Sequence, residues 1–285
     1  MFEFQYVRGL ICCRSSSDSH LVMIYNPTTR QSISLPEIDS PSNNGMGCFF
    51  GYNPVMNQYK VMCVINGPEH VCQVFTLGDP KKQWRNILGF GNHSPSANTT
   101  RVHIDGTIYY VARAFIWSEN GPTYRFTNET MVLSFDFRSE RFDHINAPEP
   151  VTNPYRNPTL VNYKGKLGCL CCNICAMSLS KGNNGAELWV MESAEKQEWS
   201  NTIFCLPDYS FKGLLCVVRF SGVTLGGDIF IVEHLYRPYD PLYVYFYDPK
   251  QNSFRRSEIQ GTSTSHSDSV IIVGVSDHVE NTMCL

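Results

Sequence analysis

One hairpin pattern recurs five times along this chain of 285 residues, and it constrains the fold more than any other feature. Each copy has an apolar strand, a polar turn and a second strand that carries a bulky apolar residue. The residues that open the five turns are separated by 52, 58, 56 and 56 positions. A near-constant period of this length indicates copies of one structural unit. The turn-opening residues are Asn26, Gly78, Asp136, Glu192 and Asp248.

Each of the last four units also carries a strand pair upstream of its hairpin. Gly106 and Gly165 each separate two strand-like segments, and so do the turns at Asn53-Pro54 and Gly226-Gly227. Glycine and Asn-Pro supply the backbone conformations that tight turns need. Each repeat therefore holds four antiparallel strands, which is typical of a β-propeller blade.

We predict one all-β domain over residues 1–285, a β-propeller-like (kelch-like) ring of four-stranded blades. Stacked blades shield one another's faces and leave only short edges. A β-sandwich is the alternative, but it predicts no fixed period. Composition also disfavours helix, because the chain has only 7 Ala beside 20 Gly, 16 Pro and 13% aromatic residues.

The two ends of the chain break the repeat. Residues 269–275 form a strand-like segment without a following hairpin, and the first hairpin lacks a full strand pair before it. We therefore expect Ser269–Val275 to pair with the N-terminal segment, for example with Val7–Cys13. The five hairpins set a minimum of five blades and leave a partial sixth open.

Charge and hydropathy exclude several classes of partner. The chain has 23 Lys and Arg against 26 Asp and Glu, so no basic surplus points to nucleic acid. No apolar run is long enough to span a membrane, and the N-terminus does not resemble a signal peptide. We therefore expect an intracellular protein, in the cytoplasm or the nucleus, whose 12 Cys are thiols rather than disulfides.

Short motifs follow one another in a characteristic order over nearly the whole chain. They are Val7–Cys12, Tyr25–Gln31, Phe50–Pro54, Gln58–Val61, Phe135–Asp136, Leu160–Leu167, Leu188–Met191 and Asp277–Asn281. Their order resembles the F-box-associated domain (type 3-like) of plant F-box proteins. In that family a helical F-box docks on a Skp1-type adaptor of a cullin (SCF-type) E3 ubiquitin ligase. The associated domain then recruits a substrate protein, so the resemblance implies protein recognition and a protein substrate as partner.

The sequence departs from the family pattern at its start. It begins with Met1-Phe2-Glu3-Phe4, directly on the associated domain. We therefore expect the N-terminal F-box to be absent, either because the chain is a truncated member or because its start was assigned late in a longer gene. This leaves a Skp1-type adaptor in doubt as a partner of this chain, while the binding role of the domain stands.

Two long connections between strands concentrate aromatic residues and Arg, the residue types enriched at protein–protein hot spots. They span Arg113–Phe126 and His234–Asp240. We interpret both as rim loops that present anchors to a partner. The alternative is that the aromatic side chains pack under the loop as a satellite core, and the sequence leaves both open. The candidate partner-binding residues are Phe115, Trp117, Tyr124, Arg125, Phe126, Tyr236, Arg237 and Tyr239.

No motif in the chain indicates chemistry. The Cys cluster at Cys169, Cys171, Cys172 and Cys175 lacks the paired spacing of a zinc site, and we interpret it as buried thiols. We found no metalloprotease, nucleophile-elbow or phosphate-loop motif, so we predict no catalytic residue, metal or cofactor. A propeller-fold enzyme is the alternative function, and it requires His or carboxylate side chains that converge on the ring centre. A truncated remnant without a partner is a third possibility.

Overall fold

The computed structural model is almost entirely β-structure. It describes residues 2–15, 21–38, 46–65, 71–87, 91–95, 101–118, 123–156, 158–172, 185–205, 217–234, 243–258 and 280–285. The chain forms two compact units, the first of Met1–Asn146 with His278–Leu285 and the second of Ala147–Asp277. No helix among the described residues is long and apolar enough to cross a membrane.

The first unit contains three antiparallel sheets, each with its strands in chain order. Sheet 1 consists of β1 (Phe2–Val7), β2 (Leu10–Ser15), β3 (Val22–Asn26) and β4 (Gln31–Ser34). Sheet 2 consists of β5 (Met46–Asn53), β6 (Gln58–Ile65), β7 (Val71–Thr76) and β8 (Arg85–Ile87). Sheet 3 consists of β10 (Arg101–Ile104), β11 (Thr107–Trp117), β12 (Tyr124–Asp136) and β13 (Arg141–Ile145), and β9 (His93–Pro95) pairs with β11 outside this order.

The second unit contains two further four-stranded sheets and two short helical segments. It begins with α1 (Glu149–Thr152) and a 3-10 turn (Pro154–Arg156). Sheet 4 consists of β14 (Thr159–Tyr163), β15 (Lys166–Cys172), β16 (Gly185–Ser193) and β17 (Glu198–Cys205). Sheet 5 consists of β18 (Val217–Val223), β19 (Ile229–His234), β20 (Tyr243–Asp248) and β21 (Ser253–Glu258). The predicted repeat of four antiparallel strands is therefore confirmed, and the described residues contain five such sheets and no sixth.

Turn chemistry explains why each repeat folds into hairpins. The first two strands of sheets 1, 3 and 4 are joined by two-residue turns, for example Arg8-Gly9, where both residues have positive φ. That geometry matches the twist of the strands and favours Gly at the second position. In the turns between third and fourth strands, the side chains of Asn26, Asp136 and Asp248 accept the backbone N–H groups two and three residues later. The marker residues of the repeat therefore initiate the turns.

Both faces of sheet 2 pack into hydrophobic clusters. Phe50 and Val61 lie in a buried cluster with residues of sheet 1, whereas Phe49 and Met62 lie in a second cluster with residues of sheet 3. The rings of Phe49 and Tyr110 are 4.5 Å apart. Successive residues of a strand point to opposite faces, which explains why β5 and β6 are apolar at almost every position.

The prediction that Val7–Cys13 offers one strand for residues 269–275 to pair with is wrong. Sheet 1 obtains four strands from residues 2–34 alone, because Phe2–Val7 forms its own strand. Val7–Cys13 is no single strand, since it contains the turn Arg8-Gly9, and β2 is already paired on both sides by β1 and β3. A further strand therefore has no free side of β2 to pair with. Residues 269–275 lie outside the described residues.

The C-terminal residues contact sheet 1 in a different way. The backbone carbonyls of Asn281 and Met283 each accept a hydrogen bond from the buried side-chain amide of Asn26, both at 2.9 Å. Met283 and Leu285 pack against the cluster between sheets 1 and 2. This segment contributes an irregular strap rather than a strand.

The expectation that all 12 cysteines are thiols is wrong for two of them. Cys48 and Cys63 lie directly opposite each other on β5 and β6, with Cα atoms 4.2 Å apart, and form a disulfide. The sequence did not indicate this pair because only the register of two strands brings them together. Among the cysteines whose side chains the structure describes, the thiols are Cys12, Cys13, Cys72, Cys169, Cys171 and Cys284.

Candidate protein-interaction site

The connection predicted as a loop between Arg113 and Phe126 is a β-ribbon. In sheet 3, β10 pairs with β11 only up to Tyr110, and β13 pairs with β12 only from Val132 onward. The two central strands continue beyond these limits as a hairpin, with Phe115 opposite Phe126 and Trp117 opposite Tyr124. The loop prediction is therefore wrong for this segment. Aromatic and β-branched residues favour strand, and cross-strand aromatic pairs stabilise it.

We call residues 115–118 and 123–126 the aromatic ribbon. Because side chains alternate along each strand, Phe115, Trp117, Tyr124 and Phe126 all lie on one face. The ring of Phe115 lies 5.0 Å from Tyr124 and 5.4 Å from Trp117, while the rings of Tyr124 and Phe126 are 5.5 Å apart. Most of these contacts are edge-to-face, the geometry that aromatic pairs prefer. The structure thus brings together four of the predicted binding residues.

The two interpretations left open by the sequence apply to different residues of this cluster. Phe115 is only 3% exposed and forms the packed centre, as a satellite core requires. Phe126 is 42% exposed, while Trp117 and Tyr124 are half-buried. The outer part of the cluster therefore offers apolar surface that the described residues do not cover.

The opposite face of the ribbon pairs an exposed aliphatic residue with an exposed cation. Ile116 lies opposite Arg125 in the register, and its side chain is 43% exposed. Arg125 was among the predicted binding residues and Ile116 was not, although side chains that alternate along both strands place the two on the face opposite the aromatic rings. A cavity of about 230 Å³ adjoins this part of the ribbon and is lined by residues 116–118 and 123–125.

Two arginines differ in their role at the ribbon. The guanidinium carbon of Arg113 lies 5.0 Å from the centre of the Phe126 ring, and its Nη2 donates to the carbonyl of Thr127 at 3.4 Å. Arg113 therefore supports the base of the ribbon through a cation–π contact. Arg125 is exposed and has no hydrogen bond or ion pair within the described part of the chain. It remains available to a partner.

Buried polar contacts anchor the ribbon to sheet 3. β9 pairs with Ala112–Ala114, and the backbone N–H of Phe115 donates to the carbonyl of Asn92 at 3.1 Å. A ring nitrogen of His93 lies 2.9 Å from the hydroxyl of Tyr110, and burial raises the pKa of Tyr110 well above its ordinary value. These groups are buried in the sheet, so they position the ribbon and do not form part of its exposed surface.

Comparison with known proteins identifies the family. A family model described as "F-box associated beta propeller domain" matches residues 1–279. The chain belongs to this family. The Arabidopsis thaliana F-box protein At1g52495 is 42% identical over 297 aligned residues, and the putative F-box protein At5g50220 of the same plant is 42% identical over 264. These matches cover 100% and 92% of this chain.

The F-box-associated domain accounts for only part of these relatives. The chain spans 65% of At1g52495 and 66% of At5g50220. Among solved structures, YjhT aligns over 90% of this chain and 96% of its own with 10% identity and a TM-score of 0.45. Structural similarity at this TM-score and identity supports no conclusion about function. The five four-stranded sheets agree with the family's description as a propeller.

The remaining candidate residues belong to the second predicted connection, His234–Asp240. Tyr236, Arg237 and Tyr239 fall outside the described residues, as does the rest of their connection beyond His234. The ribbon is therefore the part of the predicted binding surface whose geometry is known.

The Cys cluster is packed in the second unit. The sulfur atoms of Cys169 and Cys171 are 3.7 Å apart, on the same face of β15 as predicted, and Cys171 Sγ lies 3.2 Å from the carbonyl of Pro150. Burial raises the pKa of the Cys169 thiol well above its ordinary value. No group of three or more His, Cys, Asp or Glu within the described ranges is arranged to hold a metal ion. The side chain of Cys172 and all of Cys175 are not among the described parts.

Proposed function

We propose that this F-box-associated domain is the substrate-recognition part of an F-box subunit of an SCF-type E3 ubiquitin ligase. In this proposal the domain binds a protein partner without covalent chemistry and is not an enzyme. The family and its relatives named as F-box proteins support the class of function. The proposal assigns binding of a Skp1-type adaptor to no residue of this chain.

The observation that carries the proposal is the exposed apolar surface of the ribbon. Phe126 and Ile116 expose 42% and 43% of their surface on a ribbon that cross-strand pairing and the buried Phe115 hold in shape. A preorganised aromatic surface beside an arginine is typical of hot spots, because little conformational entropy is lost on binding. We include Tyr236, Arg237 and Tyr239 as a second contact on residue type alone.

Affinity capture from plant extract tests this function. We expect proteins that bind the wild-type chain to be lost with the Phe126→Ala and Ile116→Ala variants, while the melting temperature falls by no more than a few degrees. Ile203→Ala is the matched control, because Ile203 is 68% exposed on β17, in the other unit. Capture that survives both ribbon substitutions, or that is lost equally with Ile203→Ala, would contradict a binding role for the ribbon.

The ligase role is tested on the captured partner itself. Expression of the chain in plant cells should change the ubiquitin conjugation of that partner. The Phe126→Ala variant should have no such effect, since it no longer binds. A partner whose ubiquitin conjugation is the same with and without the chain would argue for recognition outside a ligase.

A further inference from the structure

The backbone of the aromatic ribbon has an open edge. Within the described residues, β12 pairs with β11 over Tyr124–Phe126 and over Thr130–Asp136, but with β13 only from Val132. The stretch Tyr124–Phe126 therefore has no strand beside it, on the side away from β11, among the residues that the structure describes. On the other edge, Phe115 already donates to Asn92, so the β12 edge is the more accessible one.

Hydrogen bonds already present show which backbone groups face this edge. Ser118 donates to the carbonyl of Thr123 at 2.8 Å, so these two residues form a hydrogen-bonded pair. Hydrogen-bonded and non-hydrogen-bonded pairs alternate in an antiparallel ladder. The pairs Trp117–Tyr124 and Phe115–Phe126 are therefore non-hydrogen-bonded. The N–H and C=O groups of Tyr124 and Phe126 consequently point away from β11, about 7 Å apart along the strand.

The side chains on the two faces of the ribbon determine which residue types an added strand needs at each position. A residue placed beside Arg125 would share the face of Arg125, and its two neighbours would share the face of Tyr124 and Phe126. Opposite charges across a ladder stabilise it, and aromatic residues favour apolar partners. The complementary segment is thus apolar, acidic, apolar in consecutive positions.

A second copy of this chain does not fit the same edge. If two ribbons paired antiparallel about a two-fold axis at Arg125, the two Arg125 side chains would lie directly opposite each other. Like charges in that position are destabilising. Charge therefore favours an acidic strand from another protein over self-association.

We propose that the aromatic ribbon binds an extended segment of its protein partner by β-strand addition at the Tyr124–Phe126 edge, with an acidic residue of the segment against Arg125. This rests on the proposed function and specifies its mode of recognition. Main-chain hydrogen bonds supply affinity in such complexes, and alternate side chains supply specificity. The occupant is an unfolded or loop segment of a partner protein with alternating apolar and acidic residues.

A designed peptide tests the mode directly. The probe is a fluorescein-labelled peptide of sequence Ser-Gly-Val-Thr-Phe-Glu-Phe-Thr-Val-Gly-Ser, and binding is measured by fluorescence polarisation. We expect saturable binding that falls about tenfold when the two Phe nitrogens are methylated, because methylation removes the two N–H donors facing the ribbon. Equal affinity of the methylated peptide, or no binding at millimolar concentration, would overturn the proposal.

Charge reversal provides an independent check. Arg125→Glu should weaken the Glu peptide about fivefold and strengthen a peptide with Lys in its place. Arg141→Glu is the matched control, since Arg141 is exposed on β13 of the same sheet and should leave both affinities unchanged. Identical effects of the two substitutions would show a general charge effect and overturn the pairing with Arg125.

The same experiments separate this inference from the function it rests on. If partner capture requires Phe126 and Ile116 while the peptide does not bind, the recognition function stands and strand addition is wrong. Concentration-dependent dimers that Phe126→Pro abolishes, measured by analytical ultracentrifugation, would show that the edge serves a second copy instead, because Pro removes the N–H of residue 126 that faces this edge.

Discussion

The side-chain amide of Asn281 lies 2.6 Å from the hydroxyl of Tyr59, joining residues 222 positions apart. The same nitrogen donates to the carbonyl of Arg8 at 2.8 Å, and the backbone N–H of Asn281 donates to Thr28 Oγ1 at 3.1 Å. Burial raises the pKa of Tyr59, and the hydrogen bond to Asn281 partly offsets this. One residue near the C-terminus thus ties together sheets 1 and 2.

This relationship predicts that Asn281→Ala destabilises the first unit by about 1–3 kcal/mol, since it leaves the carbonyl of Arg8 with one donor fewer and removes the bond to Tyr59. Urea unfolding measures the change. Asn201→Ala, at an exposed position of β17, should have little effect. Equal stability of the Asn281 variant and the wild type would mean that the strap does not stabilise the unit.

Gly51 is required by close packing. A Cβ atom at this position would overlap the ring of Phe137, which is itself fully buried. We expect Gly51→Ala to cost about 1–3 kcal/mol of unfolding free energy, because the ring must shift in a packed core. Gly91→Ala is the control, since the nearest atom to a Cβ there is His93 Nδ1 at 3.8 Å. A Gly51 variant as stable as the Gly91 variant would contradict the packing argument.

The aromatic ribbon predicts opposite outcomes for two phenylalanines that face each other. Phe115→Ala should lower stability by about 3–5 kcal/mol, because Phe115 is 3% exposed and packs against three other rings. Phe126→Ala should cost less than about 1 kcal/mol, as expected for a residue that is 42% exposed. Thermal unfolding monitored by circular dichroism distinguishes them. Similar losses for both would mean that the whole cluster is core and leaves no binding surface.

Glu140 makes the stability of the first unit sensitive to acid. Burial opposes its ionisation, but hydrogen bonds from Arg85 and from the buried Lys60 outweigh this and lower the pKa of Glu140 from 4.5. A carboxylate whose pKa is lower in the folded state stabilises it above the unfolded pKa, and this contribution is lost as pH falls through the folded value. Stability should therefore decline below about pH 4.5.

The test compares urea unfolding of the wild type and Glu140→Gln between pH 7 and pH 3. The variant should be less stable at pH 7 and should lose less of its remaining stability on acidification, because Gln does not titrate. Glu198→Gln measures the effect of removing an exposed carboxylate. Parallel pH curves for the wild type and the Glu140 variant would contradict the assignment.

Local signals in the sequence were enough to predict the sheets. The turn residues Asn26, Asp136 and Asp248 initiate turns by accepting backbone N–H groups of their own segment. In the other two repeats the equivalent acceptor lies one residue later: Asp79 accepts the backbone N–H of Lys81, and Ser193 accepts that of Lys196. Hairpins of this kind depend on residues a few positions apart, so their spacing is visible without coordinates.

The amino-acid sequence by itself determined the all-β class, the five hairpins and the clustering of aromatic residues in the third repeat, because turn geometry and strand alternation are local properties. Only the tertiary structure decided that Phe115 is buried while Phe126 is exposed, that Cys48 meets Cys63, and that Asn281 reaches Tyr59. Those outcomes depend on which distant surfaces pack together and in which register. Packing of that kind depends on the whole folded unit and cannot be predicted from any single segment of the sequence.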